Sequence, residues 1–385
     1  TKLGVKTIVL YDLYRTLKHP PEMGVIQLIP ELTSGGVERG TLEVAKYLVS
    51  KGHESLVVSN GGEMVQQLVE YGSRHFELKI HKKSLFSLLE ILKLRNLFLR
   101  ERPDLVHARS RVPAWLTFLT LKTIPPQLRP KFVTTVHGFY SVNAYSEIMM
   151  RGDAVICVSE SIKNYVTQNY PKTKPSKIQI IHRGVCKNEF PSGFFAAEKW
   201  LTDWYSRYPQ TKNKKILLLP GRITQLKGHA DFLQLLNKLP VSYHGLIVGS
   251  VHSKRRKYYE ELEKLVLELK IEDRVTFVEK SNYMRELYSI CHATMSLSKK
   301  PESFGRTVLE SLSCGCPVVG YDHGGVGEIL GECWQVGAVP PNSLDALSDA
   351  LSSFTHRSQD IIIPSYYHLD VMLRKELASY FKIIS

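Results

Sequence analysis

The sequence predicts an α/β protein built from two doubly wound parallel-sheet domains facing each other across a cleft. Three observations carry that expectation. Its 385 residues are enough for roughly two to three domains with separate cores. Short apolar runs of strand length recur along the chain, and stretches of helical period separate them. One break, residues 187 to 213, divides the series into two similar halves.

The first half opens at Val25–Pro30, a strand-like run followed by a glycine turn, a helical pattern over Val37–Ser50 and a second strand at Ser55–Val58. This is one strand–helix–strand unit. Further short apolar runs at Leu105–His107, Phe132–Val136, Ala154–Val158 and Ile178–Ile181 predict a parallel sheet covered on both faces. Lys187–Asn213 mixes aromatic residues, prolines and charges without a strand and reads as a connector with a short helix. The second half repeats the pattern at Ile216–Pro220, Leu246–Gly249, Val275–Val278, Ala293–Leu297 and Pro317–Gly320. The expected division is an extension over 1–22, a first domain over 23–186 and a second over 187–365. A terminal helix over 366–385 is expected to cross back to the first domain. Ligands of such sheets lie beyond the carboxyl ends of the strands, so the cleft is the expected active site.

Composition narrows the classes. Lysine and arginine number 51 against 37 aspartates and glutamates, a net charge of +14, which favours phosphate-bearing ligands, anionic lipid or nucleic acid. The six cysteines show no paired metal spacing and read as free thiols of a reducing cytoplasm. No apolar run reaches the ~20 residues needed to span a bilayer, and residues 1–22 lack the core and cleavage site of a secretory signal. Met23, directly before a strand-like segment, is a candidate internal or original start.

Two segments could carry chemistry. Arg222 and Lys227 lie in Gly221-Arg-Ile-Thr-Gln-Leu-Lys-Gly228, just after a predicted strand, where both cations would enter the cleft. The alternative is two solvated loop charges. Pro301-Glu-Ser-Phe-Gly-Arg-Thr-Val-Leu-Glu310 follows the strand at Ala293–Leu297 and enters a helix whose apolar face is Val308, Leu309 and Leu312. Backbone amides around Phe304, Gly305 and Arg306 suit an anion, and glycine permits close approach. Glu302 would lie in the loop, and Glu310 could accept both hydroxyls of a ribose. An Arg306–Glu310 pair on a solvated helix face is the alternative. The sequence has no Asp-x-Asp pair, so fixed cations rather than a metal are expected to neutralise a departing phosphate.

The ordered set of pieces resembles the family 4 glycosyltransferases of the GT-B fold, with its two Rossmann-like domains. Beside the two segments above, it includes Thr33-Ser-Gly-Gly-Val-Glu38, Val106-His-Ala-Arg109, Val136-His-Gly138, Val158-Ser-Glu160, Arg183-Gly-Val185 and Gly324-Gly-Val-Gly-Glu328. The resemblance runs from about Met23 to the end. It implies a retaining, metal-independent transfer with no cofactor beyond a nucleotide-sugar substrate, and a glycan or glycolipid as acceptor.

Carried over residue by residue, Arg222 and Lys227 match the diphosphate-binding pair, Glu302 the donor-sugar contact and Glu310 the ribose ligand. Phe304 and Gly305 fall where the backbone faces the sugar or phosphate. Gly35 and Gly36 match the loop that closes on the diphosphate, and His137 the first-domain residue near the reacting carbon. Arg183-Gly-Val-Cys186 stands where relatives often carry Asn-Gly-Val-Asp, which leaves open whether Arg183 is structural or reaches the donor. Val278–Ser281 falls where the base packs and names no base. In a front-face mechanism, the departing phosphate itself can take the acceptor's proton.

Other features have plainer readings. His107 and His323 follow strands and read as structural hydrogen-bonding groups. Ser84–Arg100, with Leu85, Leu88, Leu89, Leu92 and Leu99, is either an amphipathic helix on an anionic membrane or a helix packed on the sheet with a basic edge. Lys254-Arg-Arg-Lys257 reads as an exposed helix start, and no nucleic acid is expected as partner. The leading expectation is a cytoplasmic enzyme, peripheral on the inner face of the cytoplasmic membrane. It would transfer a sugar, UDP-sugar favoured, in lipopolysaccharide or other surface polysaccharide synthesis. The alternatives are a sugar-nucleotide epimerase or phosphorylase on the same fold, or a non-catalytic sugar-nucleotide-binding protein.

Overall fold

The computed structural model describes residues 22–80, 87–251, 256–279, 281–354 and 360–385. By internal contacts the chain separates into two compact units. The first takes the described residues up to Val158, together with Lys163–Ile181 and Leu373–Ser385; the second takes Ser159–Ile162 and His182–Met372.

The first unit begins with β1 (Gly24–Leu28), α1 (Gly36–Ser50), β2 (Glu54–Ser59), α2 (Val65–Glu70), β3 (Arg74–Glu77), α3 (Ser87–Glu101) and β4 (Leu105–Ala108). It continues through α4 (Arg111–Lys122), β5 (Lys131–Val136), β6 (Ala154–Cys157), α5 (Glu160–Asn169, from Lys163 onward) and β7 (Ile178–Ile180). Its seven strands lie in the order β3-β2-β1-β4-β5-β6-β7, every neighbouring pair parallel. β1 pairs with both β2 and β4, so the order reverses beside β1 and opens a crevice at the strand ends.

The second unit holds α6 (Glu198–Arg207), β8 (Lys215–Pro220), α7 (His229–Lys238), β9 (Tyr243–Val248), α8 (Arg256–Glu268), β10 (Val275–Val278) and α9 (Met284–Ile290). It goes on with β11 (Ala293–Ser296), α10 (Arg306–Ser313), β12 (Val318–Tyr321), α11 (Gly324–Cys333), β13 (Ala338–Val339), α12 (Leu344–Ser352) and the start of α13 (Leu369–Ile384). Six parallel strands run β10-β9-β8-β11-β12-β13. Here the reversal falls between β8 and β11. Leu217, Leu218 and Leu219 are buried on both faces of the central strand, as helices on either side of a parallel sheet require.

Several elements differ from the sequence reading. β3 and β13 are additional edge strands: Arg74–Glu77 is partly exposed and polar, and β13 has two residues, so neither shows the apolar run that marks an interior strand. β9 starts three residues earlier than expected because buried His244, paired with Thr276 across the sheet at 2.8 Å, replaces an aliphatic residue. In α3 the buried apolar side chains are Ile91, Leu94, Leu97 and Phe98, while Leu89 and Leu92 are 55% and 56% exposed. The apolar face is therefore rotated away from the one expected. Ser84, Leu85 and the side chain of Leu88 lie outside the described residues, as do residues 1–21, Lys254, Arg255 and Lys280. No described helix is long and apolar enough to cross a membrane.

A buried polar cluster ties α13 to the first sheet. Arg109 donates to Gln27 and, at 2.7 Å, to the Glu376 carboxylate. Tyr380 donates to the same carboxylate at 2.8 Å, and His107 bonds Tyr380 at 2.6 Å and Thr135 at 2.7 Å. His107 is thus a structural residue. A paired, hydrogen-bonded buried charge is tolerated where an unpaired one is not.

Candidate active site

The second unit gathers its candidate residues at the carboxyl ends of β8 and β11, beside the reversal of strand order. After β8 the chain turns at Gly221 and reaches a single 3-10 turn, Gln225–Lys227. The lysine stem returns over Gly221, where a β-carbon would lie 3.5 Å from its Cε. Lys227 Nζ donates to Glu302 Oε1 at 2.7 Å. Ser298, at the end of β11, donates its hydroxyl to the same carboxylate oxygen. His323, after β12, contacts the Ser298 carbonyl at 2.9 Å.

These neighbours decide the charge of Glu302. Burial raises its carboxyl, but the Lys227 ammonium, the Ser298 hydroxyl and the His323 ring more than offset this, and the net shift is downward. Glu302 is an anion at neutral pH. Its side chain is 28% exposed and that of Lys227 33%, so both remain reachable from solvent.

Glycines hold this loop in place. Gly325 donates to the Glu302 carbonyl at 2.7 Å, and a β-carbon on Gly325 would lie 2.4 Å from Phe304 Cα. Only a bare backbone fits there. Gly305 has φ of +113° and opens α10, a conformation glycine adopts without penalty. Phe304 is buried and stacks edge-on against Tyr367, so its backbone rather than its ring is presented. Backbone amides at the start of a helix such as α10 suit an anion.

Arg306 and Glu310 pair at 3.2 Å one turn into that helix. Their side chains are only 17% and 7% exposed, so the solvated helix face is not what the structure holds. Tyr288, fully buried, lies 3.5 Å from the other oxygen of Glu310. Arg222 is exposed on the loop after β8, and no carboxylate pairs with it among the described residues.

Glu328 in α11 marks a structural role that the sequence motif did not reveal. Its carboxylate accepts from the Glu160 and Ser161 amides at 2.9 and 3.1 Å and contacts His182 at 3.2 Å. Burial pushes its acidity one way, yet His182 and the two amides hold the carboxyl below the usual range. Ser159 donates to the Ser303 carbonyl at 2.7 Å. Arg183 is buried beside Gly184, whose missing β-carbon would lie 2.4 Å from Leu369 Cα.

In the first unit, His137 follows β5 and is half-buried, its backbone amide bonded to the Tyr140 hydroxyl at 3.3 Å. Gly35 and Gly36 are exposed at the start of α1, with open space around a β-carbon on Gly36. The structure thus joins Lys227 to Glu302, and Arg306 to Glu310, within one unit. Ser298 and His323, the other partners of Glu302, went unrecognised in that role; their places after β11 and β12 were the available signal.

A pair of doubly wound parallel sheets, with an ion-paired glutamate and a helix start at the strand reversal, defines a nucleotide-binding class of α/β protein. Comparison with known proteins makes the class specific. Residues 34–188 match Glycosyltransferase Family 4, and residues 203–361 match Glycosyl transferases group 1. A glycosyltransferase from Rickettsia africae superposes with a TM-score of 0.83 at 30% identity, over 94% of this chain and 99% of that one. The N-acetyl-alpha-D-glucosaminyl L-malate synthase of Bacillus anthracis is 27% identical over 323 residues, 79% of this chain and 80% of its own length. Anabaena HepE in complex with UDP and glucose shares the fold, with a TM-score of 0.79 at 18% identity over 94% and 99% of the two chains. The chain belongs to the family 4 glycosyltransferases of the GT-B fold.

Proposed function

We propose that this glycosyltransferase moves a sugar, with retention at the anomeric carbon, from a nucleotide diphosphate sugar to a glycan or glycolipid acceptor. UDP is the favoured nucleotide. The observation that carries the reading is the Lys227–Glu302 contact of 2.7 Å beside the start of α10. Negative charge grows on the diphosphate as the sugar leaves, and positioned cations and backbone amides stabilise it most when water is excluded. Lys227, Arg222 and the amides of Gly305 and Arg306 supply those groups without a metal. Glu302, ionised, accepts hydrogen bonds from sugar hydroxyls, and Glu310 accepts from the ribose. His137, Gly35 and Gly36 are assigned to substrate contact from the first unit. The departing phosphate oxygen takes the acceptor's proton, so no protein nucleophile is required.

The complex of HepE with UDP and glucose supports the choice of nucleotide. The net charge of +14 suits an anionic acceptor at the inner face of the cytoplasmic membrane, as in lipopolysaccharide or other surface polysaccharide assembly. A small carboxylic acid acceptor is the second reading, favoured by the glucosaminyl malate synthase relative. A panel of UDP-, GDP- and ADP-sugars, scored by thermal stabilisation and by turnover with lipid-linked glycans or malate, separates the readings. Stabilisation by UDP-sugars, glycan transfer unaffected by chelator and an axial–equatorial outcome matching the donor are expected. Transfer that requires a divalent metal, or that inverts the anomeric carbon, would overturn the mechanism.

A further inference from the structure

The first unit contains a second concavity, at the end of its sheet opposite His137. Arg151 lies just before β6 and Lys177 just before β7, so the hollow opens at the amino ends of these strands. His137 follows the carboxyl end of β5. The cavity has a volume of about 680 Å³ and takes in Arg151, Lys172, Lys174 and Lys177. Its acid, Glu147, is already bonded to Arg151 at 3.1 Å.

Several like charges around one hollow repel one another, and an anion that enters relieves the repulsion. In the last turns of α5 the Val166 carbonyl is taken by the Tyr170 amide at 2.9 Å and the Tyr165 carbonyl by the Asn169 side chain at 2.8 Å, not by these cations. No carboxylate pairs with Lys172 or Lys174 among the described residues, and both are exposed. Lys177 is fixed differently, donating to the Gly152 carbonyl at 2.9 Å, which holds its ammonium at the wall. Phe118, Met150 and Pro171 give the lining an apolar side, beside the polar groups of Asn169, Tyr170 and Thr173. Lys122 lies over the Phe118 ring at 4.6 Å and adds a further positive charge nearby.

We propose that this pocket binds a phosphate ester carrying at least two negative charges and an apolar attachment, separate from the sugar-transfer site. The cations take the phosphate oxygens and the Phe118 side takes the attached group. A soluble phosphate ester and the headgroup of an anionic phospholipid share this chemistry.

The test uses the full chain in an Arg222→Ala, Lys227→Ala background, which removes both cations that the transfer site offers a diphosphate. Pyrophosphate binding by calorimetry and flotation with phosphatidic acid vesicles, against pure phosphatidylcholine, are measured with and without Lys172→Gln and Lys174→Gln together. Both positions are exposed, and the Lys172→Arg, Lys174→Arg pair serves as the charge-preserving control. Pyrophosphate affinity falling about tenfold in the Gln pair and recovering in the Arg pair supports a soluble ligand. Flotation lost in the Gln pair and kept in the Arg pair, without pyrophosphate binding, supports the lipid source. Equal binding by all three proteins in both arms, or no binding in either, overturns the proposal.

Discussion

The loop at 301–305 and the loop at 33–36 both end in a glycine at a helix start, yet they are held very differently. The first is fixed on several sides: Lys227 and Ser298 bond Glu302, Gly325 bonds its carbonyl, and Phe304 anchors it in the core. The second is exposed from Thr33 to Gly36. It is anchored through the buried face of α1, including Leu42, Val44 and Leu48. The contrast teaches where order is needed. Under the proposed function, groups that meet developing charge act best when positioned in advance, whereas a loop proposed to admit and release substrate works from the less constrained end of the structure.

The first unit nevertheless has its own rigid part, and the largest expected stability effect lies there. Glu376→Gln leaves the Arg109 guanidinium buried without its anion, which should cost about 3–5 kcal/mol. Denaturant unfolding should show the loss, while an unchanged midpoint would mean that the buried cluster does not anchor α13. In the pinned loop, Gly325→Ala should destabilise by about 1–3 kcal/mol, because its β-carbon meets backbone rather than a movable side chain. Normal stability in that variant would break the comparison at its firmest point.

Acid should act chiefly on the second unit. Burial lowers the pKa of His229 and His244 to about 4 from an ordinary 6.5. The unfolded chain therefore takes up protons that the folded one refuses, so stability falls as pH drops from about 6.5 towards 4. Between pH 7.5 and 5, each should cost up to about 2 kcal/mol, and His229→Gln with His244→Gln should flatten that slope. Glu302 and Glu328, held below their ordinary value of 4.5, add stability above that value that is lost as pH falls through their lowered pKa values. The smallest stability effect is expected at Gly36→Ala. A β-carbon there meets nothing, so Tm should stay within a degree or two while turnover falls if the loop closes on substrate.

Much of this architecture was legible because interior parallel strands are apolar on both faces. Leu217–Leu219 and Val155–Ile156 announce themselves, while the polar edge strand β3 and the two-residue β13 do not. The candidate residues of the second unit were legible by position after strands. Their partnerships were not, since Glu302 meets Lys227 across 75 residues of sequence. The rotated face of α3 shows the other limit: leucines exposed at 89 and 92 carry the same sequence signal as buried ones. Similarly, Glu328 reads as the end of a glycine motif, and only folding brings it to the amides of Glu160 and Ser161.

The central claim is that Lys227 and Glu302 together form the charged wall against which the donor reacts. Steady-state transfer from UDP-sugar should be measured for Lys227→Ala and Glu302→Ala, beside far-ultraviolet circular dichroism and Tm for each. The account predicts native spectra, Tm within a few degrees of the parent and kcat lowered by about 10²–10³-fold in both. Full turnover in both well-folded variants would contradict it.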